Sequence, residues 1–170
     1  MIEFTLVGIP VIFLLLSIFE LSRGMWIYVT VAHSIKEAAR YAIVHGNDCT
    51  IAPNNCRIQV RQIATRLNQS AVGLVPTDFT NIQLISATRT VTCPTLQACL
   101  DAGATGDTYW PTAAPGVATV DVGSIRGADL EIRGSYRFRT SMSMFWPGAG
   151  AVGPFGLINL GANAKERIQY

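Results

Sequence analysis

The sequence predicts an α+β fold: a long N-terminal transmembrane and spine helix, a second short helix, and a small antiparallel sheet of three to four strands. Three observations carry this. No side chain from Phe4 to Phe19 is charged, so the chain opens on an apolar run close to the length that crosses a bilayer. From Leu130 to Arg139 apolar and charged residues alternate, the period of a strand with one buried and one wet face. The four cysteines form two close pairs, Cys49 with Cys56 and Cys93 with Cys99, a pattern that fits disulfides in an oxidising compartment such as the bacterial periplasm.

The 170 residues suffice for one domain and an anchor. Only 14% of them are charged, and the apolar excess is concentrated at the N-terminus. A retained anchor fits this end better than a cleaved secretory signal. No Lys or Arg precedes the apolar run, no A-x-A pattern follows it, and helical spacing continues through Ala32–Ala42. Gly8 and Pro10 predict a kink in the span, because proline removes one backbone hydrogen bond. Beyond the span, Val29, Ala32, Ile35, Ala39 and Ala42 recur at steps of three and four, and Gly46 supplies the stop. Residues 1–46 thus read as a transmembrane and spine helix, and 47–170 as a periplasmic α+β domain with two disulfide-closed loops.

Within that domain, Pro53-Asn54-Asn55 is read as the turn before a second helix over Arg57–Val72, with Gly73 closing it. Its apolar face carries Val60, Ile63, Ala64 and Leu67, while Arg57, Arg61 and Arg66 form a solvated basic side. Ile82–Thr92, rich in Ile, Thr and Val, reads as one strand. Thr92–Gly127 reads as irregular, with a short strand over Val117–Val122. Leu130, Ile132, Tyr136 and Phe138 define the buried face of the clearest strand. Trp146–Phe155 is a Gly/Pro-rich loop, and Ile158, Leu160, Ala162 and Ala164 mark a last strand.

Four cysteines allow three connectivities, of which local pairing, Cys49–Cys56 and Cys93–Cys99, is the simplest. Zinc fits less well, since neither pair has the C-x2-4-C spacing of structural sites. The catalytic search is empty: His33 and His45 have no nucleophile pattern around them, and no G-x-S-x-G, H-E-x-x-H or G-x-x-x-x-G-K motif occurs. The acids Asp121, Asp129 and Glu131 lack the spacing of a paired acid–base site. We therefore expect no enzyme activity, no metal, no cofactor and no small-molecule substrate. A scattered net charge of +2 argues against nucleic acid.

The informative polar residues lie on the first helix. Glu3 is a carboxylate at the start of an apolar helix, a position that calls for a headgroup location or a partner. Glu20 and Arg23 have the spacing of an i,i+3 ion pair at the outer membrane interface, where Trp26 and Tyr28 are also suited.

Glu3-Phe4-Thr5-Leu6, the aliphatic run with Pro10, Glu20-Leu21-Ser22-Arg23-Gly24 and Ala38-Ala39-Arg40-Tyr41-Ala42 together resemble the TadE-like pseudopilins. These are components of tight-adherence (Tad/Flp) pilus systems, related to the type IV pilins. The resemblance is strong over residues 3–46 and weaker over Leu130–Phe138 and Leu157–Ile168. It implies removal of a leader ending in Gly, after which Glu3, the acid of the motif, pairs with a neighbouring subunit's N-terminal amine. In this sequence only Met1 and Ile2 precede Glu3. It also implies a minor pilin or pseudopilin in the inner membrane, working in assembly, priming or tip formation with other pilins and the pilus assembly machinery. The alternative is a membrane-tethered periplasmic binding module that never enters a fibre.

Overall fold

The computed structural model describes residues 2–45, 58–102, 109–111, 125–140 and 157–169. The first helix, α1, spans Ile2–Ile43 and runs unbroken through Pro10. At 1.5 Å per residue it is about 63 Å long. Its two halves differ in surroundings. Large apolar side chains from Leu6 to Val29 are mostly exposed, whereas Val31, Ile35, Ala38, Ala39 and Ala42 are fully buried. The hydroxyls of Ser17 and Ser22 donate to the carbonyls of Phe13 and Ile18, both at 2.8 Å. Polar side chains satisfied in this way within the helix are tolerated in lipid.

The second helix, α2 (Val60–Ser70), buries Val60, Ile63, Ala64 and Leu67, as its spacing predicts. It starts later than Pro53-Asn54-Asn55 indicated, because Gln59 takes the cap position. Gln59 and Gln62 exchange side-chain and backbone hydrogen bonds there. Arg66, on the basic side, lies over the Tyr41 ring at 5.0 Å and so ties α2 to α1.

A 3-10 turn over Pro76–Asp78 leads into the sheet. The strands are β1 (Phe79–Ser86), β2 (Thr90–Thr95), β3 (Asp129–Arg139) and β4 (Leu157–Arg167), antiparallel in the order β2-β1-β3-β4. The single strand read over Ile82–Thr92 is therefore a hairpin. Its turn is fixed at Ser86: the Ser86 amide and hydroxyl donate to the Arg89 carbonyl at 2.8 and 3.0 Å. A composition rich in Ile, Thr and Val, with no Gly or Pro at the turn, hid that reversal. Pro94 is accommodated because β2 is an edge strand. Within β1, Asn81 has φ of 53° where the register to β3 shifts, a bulge in the left-handed conformation that asparagine tolerates.

The region read as irregular holds one more helix, α3 (Leu96–Asp101), capped by the Thr95 hydroxyl, which accepts from the Ala98 amide at 3.2 Å. Its Cys99 is bonded to Cys93 of β2. This local bridge, six residues apart in sequence, contributes about 2 kcal/mol by restricting the unfolded chain. Cys49, Cys56, the segment Val117–Val122 and the loop Trp146–Phe155 lie outside the described residues.

The C-terminal half of α1 packs with α2 over the inner face of β3 and β4. Gly134 makes room for it: a Cβ there would stand 2.7 Å from Ile82 Cδ1 and 3.4 Å from Ile35 Cδ1. On the opposite face, charged side chains clip β3 to β4. Asp129 accepts from Lys165 at 3.0 Å and Arg167 at 3.3 Å, and Lys165 is the larger cause holding its carboxyl below the usual carboxylate range. Glu131 is lowered chiefly by Arg133, which donates at 2.7 and 2.8 Å, and next by Asn163 at 3.1 Å.

Both folded-state values are depressed, so the stabilisation is present above the unfolded carboxylate range and is lost as pH falls through the lowered values. Thermal unfolding of the full chain in detergent should be steady from about pH 7 to 5 and weaken below about pH 4. An Asp129→Asn/Glu131→Gln variant should show a shallower acid slope. Identical slopes would remove these carboxylates from the acid response.

Candidate functional site at the membrane-proximal helix

The residues singled out on α1 fall into two places. Glu3 lies in the first turn, where no side chain is described. Glu20, Arg23, Trp26 and Tyr28 lie about 26 Å or more further along the axis, so the helix does not bring Glu3 to them.

The second group marks where the sheet meets the exposed half of α1. Arg23 Nη1 pairs with Glu20 Oε1 at 3.2 Å, and Nη2 donates to the Arg139 carbonyl at 3.0 Å. The same guanidinium lies 5.0 Å from the centre of the Phe138 ring. Arg23 thus fastens the last residues of β3 to the helix. The i,i+3 spacing foretold the ion pair, but the contacts with Phe138 and Arg139, over a hundred positions away, had no local signal. Glu20 Oε2 is buried without a hydrogen-bond partner among the described residues.

Two glycines stand where the parts meet. A Cβ on Gly24 would stand 3.8 Å from the Phe138 ring, ordinary contact that a longer side chain would disturb. Gly73 has φ of +78°, and a Cβ there would meet the Trp26 ring at 3.2 Å. The helix read as far as Val72 ends at Ser70, where Ala71 takes the cap, so Gly73 does not close it but turns the chain onto Trp26. Beside these contacts α1 and the sheet diverge. They leave an apolar groove of about 680 Å³ between Gly24, Met25 and Tyr28 on the helix and Phe138, Ile158 and Leu160 on the sheet.

Among the described residues no group of His, Cys, Asp or Glu is arranged to hold a metal ion. What the geometry offers is an apolar helix surface that is left exposed among the described residues. Over Leu6–Ile43 the helix is long and apolar enough to cross a membrane, and its most apolar stretch is not buried in the protein. The family model described as TadE-like protein matches residues 1–40. The chain carries a TadE-like N-terminal segment. That segment contains the whole exposed half of α1 and most of its buried half. No curated protein and no solved structure matches the chain significantly.

Proposed function

We propose that this chain is a membrane-anchored minor pilin or pseudopilin acting in assembly, priming or tip formation of a Tad/Flp-type pilus. One observation carries the proposal: the TadE-like match coincides with a helix whose large apolar side chains from Leu6 onward are mostly exposed among the described residues. Such a surface requires lipid, neighbouring helices, or first one and then the other as a subunit moves from membrane to fibre. Pilin-related families of this kind are structural rather than catalytic, and the partners are other pilins through α1 and the assembly machinery in the inner membrane.

In this reading the chain crosses the inner membrane once and the sheet domain is periplasmic, where the Cys93–Cys99 bridge is stable. A second local bridge, Cys49–Cys56, belongs to the same proposal. Glu3 is the assembly residue, and Glu20, Arg23, Trp26 and Tyr28 lie at the outer membrane interface. Removing the gene product from its native host tests the function. Loss or strong reduction of surface pili, restored by the wild-type chain, is expected. Undiminished pili would leave a membrane-tethered binding module as the better account.

A further inference from the structure

We infer that the membrane-proximal end of the sheet domain is itself a lipid-docking surface, immersed in the interfacial layer of the outer leaflet. The inference rests on α1 being the membrane span. Among the described residues outside α1, five large apolar side chains are exposed: Val44, Val72, Val75, Ile125 and Ile158, of which Val44 and Ile125 are the least so. Three of them gather at one end. Val72 (68% exposed) and Val75 (50%) flank the turn at Gly73 that sits on Trp26, and Ile158 (46%) is paired with Phe138 beside Gly24. All three therefore stand at the level of residues 24–26 of α1.

The exposed apolar surface of α1 does not stop below that level. It continues through Met25, Trp26, Tyr28 and Val29. From Leu6 to Val29 is about 36 Å along the axis, longer than the hydrocarbon core of about 30 Å. A bilayer that covers this surface reaches the lower rim of the domain. The groove between α1 and β3–β4 runs along the helix from Ser17 to Val29 and is continuous with its exposed apolar surface. Apart from Glu20, which is paired with Arg23, its lining is mostly apolar, so acyl chains can fill it. Charge does not resist the approach. Arg23 is paired with Glu20 and Arg139 with Asp78, while exposed Arg137 can meet lipid phosphates.

Spin labels on single introduced cysteines test this, using the oxidised full chain in vesicles of phosphatidylethanolamine and phosphatidylglycerol. The sites are Val72→Cys, Val75→Cys and Ile158→Cys, with Leu14→Cys in the span and Ala87→Cys at the far hairpin as references. The rim labels should collide with dissolved oxygen and be shielded from a water-soluble nickel complex, at a depth of about 5–10 Å. Ala87 should report water and Leu14 the bilayer interior. Rim labels as nickel-accessible as Ala87, with Leu14 deep, would overturn the docking surface and leave the anchor standing. Shielding from both reagents would overturn it in favour of a protein contact. A shallow Leu14 label would refute the span itself.

Discussion

Replacing Trp110 with Ala should cost about 3–5 kcal/mol and lower the melting temperature of the full chain in detergent by at least about 10 °C. Trp110 is completely buried and is among the largest side chains in the core. Its amide donates to the Ile58 carbonyl at 3.2 Å, and Tyr109 bridges to Gln59, so this short stretch is fastened at the start of α2. Truncation leaves a cavity at a junction that backbone hydrogen bonds hold open. The indole N–H has no acceptor among the described residues, an unsatisfied donor that phenylalanine would not carry. Trp110→Phe should therefore lose clearly less stability than Trp110→Ala. A fall of less than about 3 °C for the alanine variant would show that this part of the core is not packed as described.

The architecture was legible where one period dominated. The long helix, the apolar face of α2 and the alternation from Leu130 to Phe138 each declare themselves locally, and each stands where the spacing indicated. What the sequence hid was of two kinds. Reversals without Gly or Pro leave little trace: Ser86 and Arg89 close the first hairpin by side-chain and backbone bonds inside a run of strand-forming residues. Six-residue α3 was also missed, although Thr95 followed by Leu96 and Cys99 carries a cap and a helical step.

Contacts across the chain were the second kind. Gly134 interrupts the apolar face of β3. Its missing side chain leaves the space that the ends of Ile82 and Ile35 occupy over the strand. At the site, the Glu20–Arg23 pair was visible as a spacing, but its link to Arg139 and Phe138 was not. Val72, Val75 and Ile158 come to the level of residues 24–26 only after the chain has folded back along α1.

Replacing Glu3 with Ala should remove the chain from fibres while leaving it in the membrane. In the proposed assembly, Glu3 pairs with a neighbouring subunit's N-terminal amine inside a bundle of apolar helices. Removing one partner of a buried charge pair costs on the order of 3 kcal/mol or more, over a hundredfold in association. If Glu3 instead rests among lipid headgroups, the same change costs little, because a single acid at a helix N-terminus contributes roughly 0.3–1 kcal/mol. In the proposed anchor, insertion rests in either case on the apolar run of α1 within Leu6–Ile43 and not on Glu3. The decisive measurement is the amount of wild-type and Glu3→Ala chain in sheared surface material and in membranes from the same cells. The account predicts wild type in both fractions and the variant in membranes alone. Wild type missing from sheared material while pili form normally without it, or the variant present there at wild-type level, would contradict it.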